Sequence, residues 1–542
     1  MRARMELLVN RTRKIEFDAA EGHTLRELFV QAEIYVDAPC GGRGNCGKCV
    51  VRFYAGAPEP LPVERERLSA EALEEGFRLS CQCVPVRDCE IELADNSERM
   101  DVETEFENVR DRTVLNKTTY GNENYEPCEI VGGVPSAEPL GVAIDLGTTT
   151  IAMALVSLSD GRRIKTKQLV NHQRAYGADV ISRIQAADCG RADLLKNLVR
   201  RDLAVGMEEL LSGGNGIVKK ITIAGNTTMC HLLMGYSCET LGVAPFTPVT
   251  TKREEYRVQK EWGEQQVVIL PGISAFVGAD IVAGVLAVGM DEAEKVSLFL
   301  DVGTNSEMVI GNKNGFLATS AAAGPAFEGN SITNGMPGVA GAISHVRLTA
   351  EGAAAELETV GGEPPKGICG SGILDAMSEL VQNKMVDENG TLAERWFETG
   401  VPLSEAPHRI RITQADIREI QMAKAAIRAG TELLMKAYDV TVDEVETVYL
   451  AGGFGKKMDV KSAVQIGMFP PELSEKIVAV GNAALEGAAL ALCDDESKGI
   501  TQGAQHNSVK RRAEFVRTHT REINLAGQAE FEERYLSELG FA

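Results

Sequence analysis

Two stretches of the chain, LGVAIDLGTTTIAMALVSL at 140–158 and VSLFLDVGTNSEMVI at 296–310, share one layout. Each runs apolar and β-branched, ends that run on an aspartate, turns through glycine and threonine, and becomes apolar again. Asp145, Gly147 and Thr148 in the first match Asp301, Gly303 and Thr304 in the second. Apolar runs around a tight polar turn predict strand–turn–strand hairpins in buried sheets. Such a turn suits a phosphate. Gly147 and Gly303 let the backbone approach it, and Thr148, Thr149, Thr150, Thr304 and Asn305 offer donors. Asp145 and Asp301 are placed to orient a hydrated Mg²⁺. One such hairpin is simply a hairpin; two in one chain predict two similar halves facing one nucleotide.

A third element, VYLAGGFG at 448–455, is a strand ending in a glycine pair. Gly452, Gly453 and Phe454 there would let an adenosine lie against the backbone. Two segments rich in small residues, VGADIVAGVLAVG at 277–289 and VGNAALEGAALALC at 480–493, read as helices. With these motifs in this order, the chain resembles the acetate kinase, sugar kinase, Hsp70 and actin superfamily. The resemblance implies a duplicated α/β ribonuclease H-like ATPase domain with halves at 139–295 and 296–495. It also implies ATP with Mg²⁺ between the hairpins, Asp145 and Asp301 being catalytic.

Other segments bear on that cleft. Gly324-Pro325, in AAGPAFEG, predicts a helix start beside the nucleotide. GICGSGILD at 367–375 opens a helix whose N–H groups could face an anion. Gly225-Asn226-Thr227-Thr228 either lines the cleft or caps the next helix. Asp179 and Arg183, four apart, predict a surface ion pair on one helix face. His231 sits in an apolar helical stretch and reads as a packed histidine. A long helix is expected over 414–437. Residues 496–542 are polar and mixed in charge, with no assigned role.

Residues 1–95 form a separate small domain. Hairpin strands are expected at 5–9 and 14–17, a helix at 25–32 capped by Thr24, a strand at 50–54, a helix at 64–75 and a strand at 90–93. Between them lies DAPCGGRGNCGKC, in which Cys40, Cys46 and Cys49 are spaced C-x₅-C-x₂-C among four glycines. Such a loop wraps an inorganic cluster and aims backbone N–H groups at its sulfurs. A fourth thiolate arrives from RLSCQC, as Cys81 or Cys83. A structural zinc site usually pairs two short C-x₂₋₄-C knuckles, and only one is present. The loop and RLSCQ resemble the adrenodoxin-like branch of [2Fe–2S] ferredoxins, of β-grasp α+β fold. That resemblance favours Cys81 over Cys83 as the fourth ligand.

Residues 96–138 change character: acidic, then rich in Asn, Thr, Tyr and Gly without periodicity. Read as a flexible linker, this segment would span roughly 35 Å and let the cluster domain swing. Val109, Val114, Leu115 and Tyr120 leave open that it packs on its neighbours instead. The formal net charge of −22 argues against nucleic acid and anionic membrane as partners. No apolar run approaches the ~20 residues that span a bilayer, and the basic N-terminus lacks a signal peptide's apolar core. A cytoplasmic protein is expected, with most of its other cysteines buried as small hydrophobes.

A one-electron carrier joined to an ATPase implies ATP-coupled electron delivery. Moving one electron ~200 mV uphill costs roughly 5 kcal/mol. The whole layout, with AGNTTMCHLLMG, GVAPFTP and LDVGTNSEM added to the motifs above, resembles the ATP-dependent reductive activators of corrinoid proteins. The resemblance implies reduction of inactive cob(II)alamin on a methyltransferase's corrinoid protein to cob(I)alamin. A corrinoid protein and an upstream electron donor are the implied partners, and a homodimer is left open. Two alternatives stand beside it. One is an activator of the 2-hydroxyacyl-CoA dehydratase kind, which has no ferredoxin domain. The other is a redox-regulated small-molecule kinase, for which no acceptor-site base is evident.

Overall fold

The computed structural model describes residues 4–18, 22–32, single positions from 34 to 47, 49–93, 139–493 apart from short gaps, and 508–541 except 526. Cys40, Cys46 and the 96–138 connector lie outside the described residues.

The expected N-terminal hairpin forms from β1 (Arg4–Val9) and β2 (Arg13–Asp18). With β3 (Val50–Ala55), β4 (Phe77–Leu79) and β5 (Cys89–Leu93) it makes a five-stranded sheet ordered β2-β1-β5-β3-β4. The helix Leu25–Gln31 lies on one face, burying Leu25, Leu28 and Phe29 against Leu7, Val51 and Ile91. Thr24 starts it, its hydroxyl accepting from the Glu27 N–H at 3.2 Å. This mixed sheet with one crossing helix is the ferredoxin β-grasp. The single helix expected over 64–75 is two, Pro62–Arg67 and Ala70–Glu74. Leu68 is extended, and the Ser69 side chain accepts from the Ala72 N–H, capping a fresh helix instead of continuing the old one.

The first hairpin half is a six-stranded sheet. Its strands are β6 (Pro139–Leu146), β7 (Thr150–Ser157), β8 (Arg163–Val170), β9 (Ile217–Gly225), β10 (Glu254–Lys260) and β11 (Gly263–Ile269), ordered β10-β11-β9-β6-β7-β8. The second half begins with β12 (Ser297–Val302), β13 (Ser306–Asn312) and β14 (Gly315–Ala321). A three-stranded sheet follows from β15 (Ala342–Leu348), β16 (Ala354–Thr359) and β17 (Gly367–Ile368), and a two-stranded one from β18 (Val401–Ser404) and β19 (Ile410–Ile412). Then β20 (Thr447–Ala451), β21 (Ile477–Gly481) and β22 (Thr520–Glu522) complete a second six-stranded sheet, ordered β21-β20-β12-β13-β14-β22.

The two large sheets repeat one arrangement. In each, the hairpin's first strand pairs antiparallel with its second and parallel with a later strand. β6 runs beside β9, setting Leu146 opposite Gly225. β12 runs beside β20, setting Asp301 opposite Ala451. The carboxyl ends of these strands therefore carry the Asp-x-Gly-Thr turns and the loops that follow β9 and β20. Binding sites in open α/β sheets gather at such ends.

The two small-residue segments are helices, Ala279–Val288 and Ala483–Leu492, packed on each other between the sheets. Ala143, Ala152, Ala154, Ala283 and Ala488 share one core, so backbones approach closely. At Gly487 a Cβ would lie 2.1 Å from the Ala283 carbonyl oxygen, which excludes any side chain. Gly487→Ala is expected to separate the helices and cost about 1–3 kcal/mol of stability, read as a lowered urea midpoint.

The tail without a sequence-based role belongs to the second half. The helix Val509–His519 buries Ala513 and Val516 in the core around Phe299, and β22 pairs parallel with β14. Arg512 fixes the helix, its Nε and Nη2 reaching the buried Asp291 carboxylate at 2.5 and 2.8 Å.

The long helix is Gln414–Ala437, as expected. Among the described residues, no helix is long and apolar enough to cross a membrane.

Candidate functional site

Both aspartate turns open into one cleft of about 340 Å³ between the two halves. Gly147, Thr148, Thr149 and Thr150 line one wall, and Gly303, Thr304 and Asn305 the other. Asp145, Asp301, Gly452 and Gly453 line the cleft as well. Gly452 has φ +89, and a Cβ there would meet Asp301 Oδ1 at 3.0 Å. A left-handed glycine is thus what lets the β20 strand end pass beside that carboxylate.

One expected cleft residue is not among those that line the cavity, and a second lies outside the described side chains. Gly324 does not line the cavity; its N–H donates to the Thr304 carbonyl at 2.9 Å and buttresses the second turn. The helix expected after Gly324-Pro325 is only the 3₁₀ turn Ala326–Glu328. Phe454 lies in the helix Gly452–Lys457, and its side chain is outside the described residues.

Several cleft residues were not singled out from the sequence. Asp280 enters from the first turn of Ala279–Val288, and Asn482 caps Ala483–Leu492. The Asn482 amide donates to Asp145 Oδ2 at 2.9 Å. Glu328 accepts from the Thr304 N–H at 2.8 Å and from its hydroxyl at 3.0 Å, fixing the second turn. Glu307 and Arg174 also face the cavity. A polar residue at the start of an otherwise apolar, small-residue helix was the available signal for Asp280 and Asn482.

Asn226 does both jobs expected of it. Its side chain accepts from the Met229 N–H at 2.9 Å to cap a helix, and donates to Thr148 Oγ1 at 2.9 Å. His231 is packed as expected. Its Nδ1 lies 2.7 Å from the Thr227 carbonyl, its Nε2 accepts from the Val249 N–H, and burial lowers its pKa. The expected surface pair of Asp179 and Arg183 is not one. Asp179 caps the helix Val180–Ala186, while the fully buried Arg183 donates to the carbonyls of Gly177 and Thr148. Spacing shows which residues share a face, but not whether that face meets water.

The cleft gathers negative charge away from solvent. Burial pushes the Asp145 carboxyl up to about 6, partly offset by the Asn482 bond. Burial, then the charges of Asp301 and Asp145, raise Asp280 to about 7. Burial, then Asp145 and Glu328, raise Asp301 to about 7. Burial also holds Glu307 well above the carboxylate range. Among the described residues, no three of these side chains converge into a ready-made metal cage. The set fits a small, hard cation that keeps its waters and shares phosphate oxygens, held by one or two carboxylates.

In the N-terminal domain, Cys49 and Cys81 are both buried. The Gln82 amide donates to the Gly42 carbonyl at 2.8 Å, and a Cβ at Gly42 would lie 3.8 Å from that of Cys81. Gly42 and Gly44 thus lie against Cys81-Gln82. Cys83 points into the apolar core, where burial and then Glu64 and Cys89 push its thiol pKa far up. Of the two cysteines, Cys81 is the one beside the described loop glycines.

Fold and site together define a class: a [2Fe–2S] ferredoxin domain joined to a nucleotide-binding ATPase domain. Three family profiles match the chain: "2Fe-2S iron-sulfur cluster binding domain" over residues 8–86, "RACo middle region" over 140–293, and "C-terminal domain of RACo the ASKHA domain" over 295–542. The chain belongs to the RACo family, the reductive activators of corrinoid proteins. The family's middle region coincides with the half that carries Asp145.

The chain is similar to the corrinoid activation enzyme RamQ of Eubacterium limosum, 29% identical over 96% of each chain. It is also similar to the Co(II) methylated amine-specific corrinoid protein reductase of Methanosarcina barkeri, 25% identical over 64% of this chain and 68% of that one. Among solved structures, a reductive activator for corrinoid, iron-sulfur protein aligns with a TM-score of 0.65 and 28% identity, covering 99% of this chain and 98% of that chain.

Proposed function

We propose that this protein is an ATP-dependent iron–sulfur reductase that returns a corrinoid protein of a methyltransferase system from cob(II)alamin to cob(I)alamin. The observation that carries the reading is the joining, in one chain, of a ferredoxin domain to a two-turn nucleotide cleft, matched nearly end to end by a reductive activator. The [2Fe–2S] cluster supplies one electron at a time, which suits a one-electron change at cobalt. Cys40, Cys46, Cys49 and Cys81 are its proposed ligands. An upstream donor refills it, and the protein works in the cytoplasm.

ATP lies between the two turns. Backbone and hydroxyl donors of Thr148, Thr149, Thr150, Thr304 and Asn305 meet its phosphates, while Asp145 and Asp301 orient Mg²⁺ through waters. The adenosine rests by Gly452 and Gly453. The 96–138 segment acts as the tether that lets the cluster domain leave the ATPase and visit the bound partner at high effective concentration.

The direct test is anaerobic. Chemically reduced protein mixed with a cob(II)alamin-loaded corrinoid protein should form cob(I)alamin in the visible spectrum only when ATP is added. Cobalt reduction that ignores ATP, or ATP consumption that phosphorylates a small molecule without any corrinoid protein, overturns the reading.

The cleft carboxylates add a pH signature. Unfolded aspartates ionise near 4, whereas the native Asp145, Asp280 and Asp301 hold protons up to about 6, 7 and 7. Between those limits the folded form binds more protons, so without divalent metal its stability falls as pH rises. Magnesium competes with those protons. The rise in Tm on adding Mg²⁺ is therefore expected to be larger at about pH 7.5 than at about pH 5.5. Equal shifts at both values would remove the carboxylates from the metal site.

A further inference from the structure

The ferredoxin domain touches the ATPase at the segment that shapes the phosphate turn. Arg26, in the first turn of the helix Leu25–Gln31, is buried at the contact, at 7% exposure. Its Nη2 donates to the Ala175 carbonyl, and its guanidinium lies 5.5 Å from the centre of the Tyr176 ring. Arg191 approaches the same ring at 5.7 Å. The next residue, Glu27, also feels the ATPase. Its carboxyl is held below the usual range first by the Thr24 N–H, with the Arg191 charge a smaller contributor. On its other side, Arg26 meets the cluster loop: a Cβ at Gly42 would lie 3.1 Å from Nη1.

Ala175 and Tyr176 belong to the 3₁₀ helix His172–Tyr176, which is bonded to the first phosphate turn at several points. The Asn171 amide donates to the Gly147 carbonyl at 2.9 Å, and its backbone N–H to the Thr149 carbonyl at 3.0 Å. Arg183 holds the Thr148 carbonyl and, through Nε, the Gly177 carbonyl at 2.9 Å. Arg174, next to Ala175, faces the cleft itself. The Gly147 and Thr149 carbonyls are thus held by Asn171, which caps this helix, and the Thr148 carbonyl by Arg183 from the helix that follows, while Ala175 and Tyr176 of the 172–176 helix meet Arg26.

We propose that Arg26 couples the nucleotide state of the cleft to docking of the ferredoxin domain. Phosphates that draw on the Gly147–Thr149 turn and on Arg174 order the 172–176 helix, presenting the Ala175 carbonyl and the Tyr176 ring to Arg26. A triphosphate therefore tightens docking, and its loss after hydrolysis loosens it. The contact is poised for release. Arg26 Nε is buried without a hydrogen-bond partner among the described residues, so the docked guanidinium is incompletely satisfied. The inference rests on the nucleotide reading of the cleft and does not depend on the identity of the electron acceptor.

Coupling of this kind is reciprocal: if nucleotide favours docking, docking favours nucleotide. Arg26 does not line the cleft, so any effect of its replacement on nucleotide affinity must arrive through the contact. Titration of full-length Arg26→Gln with a non-hydrolysable ATP analogue is expected to show about 5-fold or more weaker binding, with Arg26→Lys in between. The visible spectrum of the cluster reports whether the domain remains folded. The same analogue should slow amide exchange over residues 25–31 in the unaltered protein, and no longer do so in Arg26→Gln. Arg191→Gln, which alters the contact from the ATPase side, should weaken analogue binding in the same direction even if Arg26→Gln loses its cluster. Unchanged analogue affinity in Arg26→Gln and Arg191→Gln, or exchange over 25–31 that ignores the analogue, overturns the coupling. Neither result bears on cobalt reduction, which is measured separately.

Discussion

Replacing Asp145 or Asp301 by alanine is expected to lower ATP hydrolysis by about 10²-fold or more, with the iron–sulfur spectrum unchanged. Each side chain closes the first strand of a hairpin at the point where the two halves face each other. Asp145 is oriented by the Asn482 amide from one central helix, and Asp301 sits against Gly452 from β20. Neither can be replaced by a neighbour without moving a strand end. Burial raises the pKa of both, which disfavours an uncompensated charge there, and a divalent cation reverses that balance. Asp145→Asn separates the two roles. It keeps an oxygen for Asn482 and the side-chain volume but removes the charge. If it hydrolyses ATP like the unaltered protein, positioning rather than metal binding is what Asp145 does. Normal rates in both alanine variants would take the chemistry out of this cleft.

Cys81→Ser is expected to abolish or distort the [2Fe–2S] signal in electron paramagnetic resonance, whereas Cys83→Ser keeps it. The two sulfurs are two residues apart and meet different surroundings. Cys81 borders the glycine loop through Gln82, whose amide holds the Gly42 carbonyl at 2.8 Å and lies 3.5 Å from Cys81 Sγ. Cys83 faces Cys89 and Glu64 in the core, where its thiol resists ionisation. Contact with the glycine loop, not burial, separates the two, since Cys49, Cys81 and Cys83 share one core. A lost signal in Cys83→Ser with a native signal in Cys81→Ser would exchange the two roles.

Much of this was legible in the residues. The paired Asp-Gly-Thr turns are visible because apolar strands and a polar turn differ sharply in composition, and their duplication leaves few folds open. The cysteine loop is legible for the same reason: its spacing is local. What stayed hidden depends on contacts between distant elements. Asp280 and Asn482 look like ordinary helix starts until two helices bring them to Asp145. Arg183 looks like half of a surface pair until the 172–176 turn covers it. Glu64 falls in an apparently continuous helical run, yet its carboxylate accepts from the Leu79 N–H at 2.7 Å, across the break at Leu68. The tail carries charge without periodicity, and its place is set by one strand pairing and by Arg512 meeting Asp291.

That strand pairing also sets an order of assembly. All strands of the sheet carrying Asp145 lie between Pro139 and Ile269, so its strand pairing is able to form before the second half is made, although the helix Ala483–Leu492 covers one of its faces only later. The sheet carrying Asp301 borrows its last strand, β22, from far downstream. Until Thr520–Glu522 is synthesised, the outer edge of β14 keeps bare N–H and C=O groups, a template for pairing with another chain. The nascent protein thus passes through a stage, between the synthesis of β14 and that of β22, in which the first sheet has all its strands and the second still has an open edge.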